Sequence, residues 1–567
     1  MTDHDQTKES ELVLGWRMNT RQEPRYWVAT SHPAAGGQSP DDMVTIPSRL
    51  IGFHTSIIAQ SGSGKSFFLG RLLEEILVQT KARCIVFDPN ADFRKASEIA
   101  DKSLWESATY DRHTGRGKLP HEVSRAEFEK QWSPVRELTR IRGSNLSVDC
   151  YEPLQLRWSS LSVEFLGEEI DPMLRSDLYH CHTFAQDVEI LFRVVGYAKA
   201  VSPDDSMFET EKIFSETEKI FQEAREGKSD FRAKFEKEFD IDSLIGSLFE
   251  GPPSVLFKED SGLVNVMRLF GFTVPSIIEP VSTEFLAKLG KTYKELLHSL
   301  MRSHLERILQ APKYVSKSVQ HFYFSKAREY QIAGILEEKI THRELKPPIE
   351  NRLEVVDLPS LKNRTTILLA INAILSMEWE RARRDWSKAL EKSPGQDDRK
   401  PTFIVVDEAH NLIPDKPRGK AEEALLEQFR TIVAEGRKYG LYLILVSQRP
   451  DKLDPLVLSE CENKALMKLS SASVLKITKQ MLGLDDVHPK LLNKTLDFEA
   501  SRVLLTGRWA QDNPQLLYCA ARRTVEGGRN LRDEYWAAPY ESLSPTAGSR
   551  APDLQKESPA HPGTTGE

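Results

Sequence analysis

Residues 59–66 read Ala-Gln-Ser-Gly-Ser-Gly-Lys-Ser (AQSGSGKS), set between an apolar run at His54–Ala59 and a helix-periodic run at Phe67–Gln79. Gly62 and Gly64 let the backbone curl so that successive N–H groups face one point, and the following helix presents its positive end there. Such a nest takes phosphate. Lys65 supplies a cation for the outer phosphates, and Ser66 supplies a hydroxyl for Mg2+. Gln60, Ser61, Gly62, Ser63, Gly64, Lys65, Ser66 and Phe67 are therefore the candidate nucleotide-binding residues. The position that is usually the first Gly of this pattern is Ala59. An ordinary Gly-rich turn is the alternative. The surroundings disfavour it: Leu69, Leu72, Leu73, Ile76 and Leu77 share one helix face, and Ala82–Phe87 is an apolar run of the kind buried in a parallel sheet. The three pieces make a βαβ unit.

A partner element lies far along the chain. Phe403–Val406 is apolar and runs into Asp407 and Glu408. A buried strand ending there delivers two carboxylates beside the phosphate loop, Asp407 to hold Mg2+ through water and Glu408 to orient and polarise the attacking water. Two adjacent acids favour hydrolysis over nucleotide binding alone. Leu441–Ser447 reads as another buried strand, ending in Gln448. That amide either bonds the γ-phosphate or lytic water, or is a polar strand end closed by Pro450. Arg437 ends the preceding helix, either as a cation complementing the helix dipole or as an arginine finger reaching a neighbouring subunit's γ-phosphate. Arg449 competes with it for the finger role. The candidate catalytic set is thus Lys65, Glu408, Arg437 and Gln448, with Ser66 and Asp407 as metal ligands. Asp407-Glu408-Ala409-His410 also spells the DEAH box of two-lobed helicases, but the sequence after it suffices to finish one sheet, not to build a second α/β lobe.

Composition sets the class. The chain has 567 residues, 40% hydrophobic and 28% charged, as in a soluble globular protein. Lys+Arg number 77 against 84 Asp+Glu, a net charge of −7, so any nucleic-acid contact must be local, such as a ring lumen. No apolar run approaches the ~18 residues of a membrane-spanning helix. The N-terminus lacks a secretory pattern, and five scattered cysteines fit a reducing compartment, so a cytoplasmic, membrane-free protein is expected.

The expected organisation is a short β-rich N-terminal module or arm at 1–48, a first part of the core at 49–100, a mostly helical insertion at 101–350, a second part of the core at 351–537, and a disordered tail at 538–567. Strands are expected at Leu353–Leu358, Phe403–Asp407, Leu441–Ser447, Lys464–Leu469 and Ser501–Leu505, and helices at Arg364–Leu390 and Lys420–Arg437. In the insertion, ETEKIF occurs at 209–214 and again at 216–221, favouring an amphipathic helix over a coiled coil. The basic stretches Arg112–Lys118 and Arg136–Arg142 either meet phosphates or are solvated loops. His180-Cys181-His182 are adjacent and cannot all face one ion easily. Asp88 either touches the nucleotide site or caps the next turn.

AQSGSGKS, IVFDPNADF at 85–93, FIVVDEAHNLIP at 403–414 and EGRKYGLYLILVSQRPDKLDPLVLSE at 435–460 together resemble the HerA branch of the HerA/FtsK motor ATPases. The resemblance covers roughly residues 45–100 and 350–530. It implies an α/β fold, a RecA-like P-loop NTPase core with a parallel sheet, assembled as a homohexameric ring that hydrolyses Mg-ATP and translocates double-stranded DNA through its lumen. It also implies an arginine finger acting between subunits, carried to Arg437, and a sensor glutamine, carried to Gln448. HerA proteins typically begin with a β-barrel that docks a nuclease; here a shorter β-rich stretch precedes the core. HerA-like ATPases with altered accessory regions occur in bacterial antiphage systems with an effector such as a nuclease or a sirtuin-like NADase, and the resemblance implies a partner of that kind. The expected function is a DNA motor; the alternative is a nucleotide-gated hexameric scaffold that activates an effector with little or no translocation.

Overall fold

The computed structural model describes residues 10–17, 20–23, 26–29, 43–100, 124–144, 152–158, 161–166, 172–199, 209–226, 231–256, 261–270, 283–310, 315–332, 335–336, 351–361, 363–390, 397, 399–511 and 513–527. The basic stretch 112–118 and the expected disordered tail at 538–567 lie outside them.

In chain order, β1 (Glu11–Arg17), β2 (Thr20–Glu23), β3 (Tyr26–Ala29) and β4 (Met43–Pro47) precede β5 (Thr55–Ile58), α1 (Lys65–Gln79) and β6 (Arg83–Asp88). Then come α2 (Arg125–Glu137), β7 (Thr139–Gly143) and β8 (Glu152–Pro153). A helical stretch follows, with α3 (Arg175–Lys199), α4 (Thr210–Glu226), α5 (Thr283–Gln310), α6 (Lys317–Ile332) and shorter helices between them. The chain returns to strands with β9 (Leu353–Asp357), α7 (Arg364–Leu390), β10 (Thr402–Val406), α8 (Lys420–Tyr439), β11 (Leu441–Ser447), β12 (Asn463–Leu466), α9 (Ala472–Met481), β13 (Arg502–Gly507) and β14 (Gln515–Cys519).

One sheet of 12 strands organises this, in the order β4-β1-β14-β13-β12-β5-β11-β10-β6-β9-β7-β8. From β12 to β8 the strands are parallel; β13, β14, β1 and β4 extend it as an antiparallel flank. The parallel strands are near-continuous apolar runs because both faces are covered. Residues alternate between the faces. Ile85, Phe87, Ile404, Val406, Leu443 and Leu445 pack with α7 and α8, while Cys84, Val86, Phe403, Val405, Ile444 and Val446 pack with α1 and α2.

The helical stretch shares a continuous core with the α7/α8 face. The ETEKIF repeats lie on α4 and place Ile213, Phe214, Ile220 and Phe221 on its buried face, with Phe221 edge-on to Phe184 at 4.8 Å. His180, Cys181 and His182 do not converge: His180 bonds the Ser176 carbonyl, Cys181 is buried, and His182 Nδ1 lies 2.9 Å from the Tyr323 hydroxyl.

Four expectations change. The β-rich N-terminus, expected as a module or an arm, is built into the central sheet, where β1 pairs with β14 and β4 with β1; among the described residues β2 and β3 form a separate hairpin. The stretch expected to be a helical insertion begins with α2 and with β7, which adds to the sheet beside β9. The sheet is mixed, because β13 and β14 return as antiparallel strands, and β14 had no counterpart in the sequence reading. Lastly, Arg140 and Arg142 are committed within the fold. Arg140 pairs with Glu152 at 3.1 Å, and Arg142 lies 3.6 Å from Glu354.

The polar side of α1 is buried too. Arg71, Glu74 and Glu75 are each at most 1% exposed. The Glu74 carboxylate accepts from the N–H groups of Arg523 and Thr524 and from the Thr524 hydroxyl, while Glu75 accepts from Val13 N–H and pairs with Arg71 and Arg523. The phosphate-loop helix is thereby fixed to β1 and to the segment after β14.

Among the described residues Cys84, Cys181, Cys461 and Cys519 are buried free thiols, and burial pushes the first three up to about 12. No described helix is long and apolar enough to cross a membrane.

Candidate active site

The site forms where the carboxyl ends of β5, β11, β10 and β6 meet, the edge at which open parallel sheets bind ligands. Residues 59–64 leave β5 and turn into α1. Gly64 is the N-cap at φ 87°, and no side chain caps the helix. The positive φ makes any other residue strained there, and a Cβ on Gly64 would crowd the Ser501 hydroxyl at 3.0 Å. Gly62, at φ 75°, faces open space. The first N–H groups of α1 have no intrahelical acceptor, which suits an anion. Buried Gln60 Oε1 and Ser63 Oγ carry no hydrogen bond.

Lys65 Nζ bridges the two acids, 2.7 Å from Asp407 Oδ1 and 2.5 Å from Glu408 Oε1. Burial alone would lower this ammonium, but the Asp407 and Glu408 carboxylates outweigh it and hold Lys65 above the usual lysine range. Burial raises Asp407 despite the ammonium beside it. Glu408 is also pushed up by burial, but Lys65 and the Gln448 amide prevail and bring it below the ordinary glutamate value. Glu408 has left-handed backbone, φ 47°, in the turn directly after β10. Non-glycine residues held there cost energy and cluster at functional sites.

β11 lies between β5 and β10, so the residue after it falls between phosphate loop and acids. Gln448 Nε2 donates to Glu408 Oε1 at 2.5 Å. His410 Nδ1 sits 3.5 Å from Glu408 Oε2 and 3.1 Å from the Ser447 hydroxyl. Burial, with the nearby Arg449 charge, keeps His410 below its ordinary value despite Glu408. The DEAH spelling thus marks one site on one sheet; among the described residues there is no second α/β lobe.

The structure brings Lys65, Asp407, Glu408 and Gln448 together, and Ser66 follows Lys65 in the first turn of α1. Arg437 does not join them. It ends α8 at the opposite edge of the sheet, before β11, whose seven residues span about 23 Å. There it pairs with Glu462 at 2.5 Å and lies 4.3 Å over the Phe53 ring, its side chain 48% exposed. Arg449 directly follows Gln448, exposed on the site's own edge.

Asp88 proves to be a turn-former. Its carboxylate accepts from the N–H groups of Asn90, Asp92 and Phe93. Burial and the neighbouring Asp92 charge nevertheless push it up to about 6. That turn delivers two residues the sequence reading missed: the Ser66 hydroxyl donates to Asp92 Oδ2 at 2.6 Å, and Asn90 Nδ2 lies 3.4 Å from Asp407 Oδ2. A signal was present in Asp-Pro-Asn-Ala-Asp at 88–92, a cluster of turn residues at a strand end. Ser501, whose N–H donates to the Ser63 carbonyl at 2.8 Å, carried no local signal.

The residues fit a nucleoside triphosphate with a divalent cation: an uncapped helix start and a lysine for phosphate oxygens, and Ser66 and Asp407 as hard oxygen ligands. Fold and site together define a P-loop nucleotide-binding core on an α/β sheet.

Comparison with known proteins narrows this. Residues 40–267 match the family model for the central domain of the helicase HerA, and residues 360–469 match that of the ATPase family associated with various cellular activities. A probable helicase of Methanocaldococcus jannaschii is 43% identical over 75 residues, which is 13% of this chain and 14% of the relative. The DNA double-strand break repair helicase HerA of Pyrococcus furiosus is 26% identical over 157 residues, covering 24% of this chain and 28% of the relative. The chain spans 14% and 28% of the lengths of these two relatives. Among solved structures, VirB4 of Thermoanaerobacter pseudethanolicus aligns over 92% of this chain and 98% of its own, at 15% identity and a TM-score of 0.34. Over these segments the chain is similar to HerA helicases and to P-loop ATPases.

Proposed function

We propose that the protein hydrolyses Mg-ATP as a homohexameric HerA-type ring and uses the cycle to translocate or remodel double-stranded DNA, in concert with an effector such as a nuclease or NADase-like enzyme, in DNA processing or antiphage defence. The observation that carries the reading is the Lys65–Asp407–Glu408–Gln448 cluster at the carboxyl edge of the sheet. Phosphate draws Lys65 away from the acids. Ser66 and Asp407 would hold a Mg2+ ion, which when bound would supply positive charge against the phosphate oxygens. Glu408, released from the ammonium, accepts a proton from the attacking water, and Gln448 keeps its carboxylate aimed. Arg437 is too far along the sheet to serve its own site, so its role in hydrolysis is toward a neighbouring copy, which a head-to-tail ring supplies.

The net charge of −7 favours a second reading, a nucleotide-gated scaffold that activates the effector with little DNA movement. ATPase turnover with and without linear double-stranded DNA, with mass measured in the same buffer, separates the two. Strong stimulation in a hexameric species supports the motor. A hexamer indifferent to DNA supports the scaffold, and a monomer without turnover overturns both.

A further inference from the structure

Three residues around the nucleotide site are non-glycine yet held at positive φ: Ala91 at 62°, Glu408 at 47° and Ser501 at 67°. Glu408 belongs to the cluster already described, and Ser501 braces the phosphate loop. Ala91 lies midway between Asn90 and Asp92, whose side chains each reach one of the two candidate metal ligands. Left-handed alanine is strained and persists only where the surroundings impose it. The surroundings do so from two sides. Asp88 gathers three N–H groups of the loop, and beyond it Gly527 N–H donates to the Asp92 carbonyl at 3.0 Å while the Arg522 guanidinium lies 4.7 Å over the Phe93 ring.

We propose that the Asp88–Phe93 loop is a clamp on the metal side of the site, in which Asp92 and Asn90 are positioning residues that orient Ser66 and Asp407 toward the divalent cation. A hydroxyl has one proton and two lone pairs. With its proton committed to Asp92 at 2.6 Å, the Ser66 oxygen turns its lone pairs away from the loop and gains basicity as a ligand. Asp407 is divided in the same way. Its Oδ1 accepts from Lys65 and from the Glu408 N–H, and its Oδ2 is approached by the Asn90 amide, which fixes the carboxylate plane. Partners behind metal ligands of this type set ligand orientation and tune affinity. Asp92 therefore acts through Ser66 and need not touch the cation.

This inference rests on the reading of the site as a metal–nucleotide site, and its test reads metal affinity, not turnover. A fluorescent ADP is titrated into the full chain in EDTA and then across a Mg2+ series. The wild-type protein should bind the nucleotide in EDTA and bind it more tightly as Mg2+ is added. Asp92→Ala should leave the EDTA affinity unchanged and raise the Mg2+ half-saturation by about 10–100-fold. Asp92→Asn, whose amide oxygen still accepts from Ser66, should recover part of that loss, and Asn90→Ala should shift the Mg2+ series in the same direction through Asp407. A wild-type Mg2+ series for Asp92→Ala and Asn90→Ala overturns the clamp. So does an EDTA affinity that falls as far as the Mg2+ affinity, which would make the loop a support of the phosphate loop alone. If the wild-type protein binds no nucleotide, the site reading itself fails, and the clamp with it.

Discussion

Replacing Lys65 with Met isolates the charge at the centre of the site. The ammonium lies 2.7 Å from Asp407 and 2.5 Å from Glu408, with the three side chains 8%, 1% and 9% exposed. Met keeps the aliphatic stem, so packing is largely retained. What remains is a pair of buried carboxylates without their cation, and removing one partner of a buried ion pair costs about 3–5 kcal/mol. The acids can relieve their repulsion by taking up a proton. In the variant at least one carboxyl then has a folded-state pKa above its unfolded value. Its stability is kept below the unfolded value and lost as pH rises through the folded one. Urea denaturation in EDTA, without nucleotide, should therefore show a small deficit near pH ~5 that widens to about 3–5 kcal/mol near pH ~8. Adding Asp407→Asn should recover most of the deficit at the higher pH. A deficit of the same size at both pH values would assign the loss to packing. One under about 1 kcal/mol at the higher pH would mean the pair is effectively solvated, and the electrostatic account of the site would fail.

Glu408→Gln should still bind ATP while hydrolysis falls by about 10²–10⁴-fold, the usual worth of a general base; unchanged turnover removes Glu408 from the mechanism. Arg437→Ala should be inactive alone and regain part of its activity when freshly mixed with Lys65→Ala protein, and absence of rescue would confine Arg437 to its contacts with Glu462 and Phe53. Burial, with Arg437 nearby, holds His54 down to about 4 from 6.5, and its Nδ1 accepts the Leu443 N–H at 3.0 Å. Its contribution is present above the unfolded value and lost as pH falls to the folded one, about 3 kcal/mol in all; His54→Gln should flatten that limb of the stability profile, and an unchanged slope refutes it. Ala91→Gly should raise the thermal midpoint by relieving about 1 kcal/mol of backbone strain, and a lower midpoint would show that the alanine is not strained.

The elements legible in the sequence were those whose evidence is local. The apolar strands and the phosphate loop announce themselves within a few residues, and α7 runs from Arg364 to Leu390 as its periodicity predicts. The rest depended on partners distant in sequence. Arg136–Arg142 reads as a basic stretch, yet within it Arg140 and Arg142 find Glu152 and Glu354, and β7 joins the sheet beside β9. On α1, the burial of Arg71, Glu74 and Glu75 comes from β1 and from the return of the chain after β14, both distant in sequence. At the site the acids and the lysine were legible as motif residues. Asn90 and Asp92 were legible only as turn residues, because their contacts with Asp407 and Ser66 arise from a turn whose acceptor is Asp88 and whose strain sits at Ala91.

Those buried charges on α1 bear on how the site works. A buried ion pair seldom stabilises more than well-packed apolar residues of the same volume would, so stability alone does not account for Arg71, Glu74, Glu75 and Arg523. What they provide is direction: Glu74 captures the N–H groups of Arg523 and Thr524, Glu75 captures that of Val13, and each contact holds α1 at one rotation and one height. The same segment continues to Gly527, which bonds the Asp92 carbonyl. Eight residues, 520–527, therefore fix both the helix that carries Lys65 and Ser66 and the loop that carries Asp92. On the proposed reading, with both held from behind, Lys65 would exchange carboxylates for phosphate while Ser66 kept its direction, and the ordering that metal and nucleotide would otherwise impose would already be built into the fold.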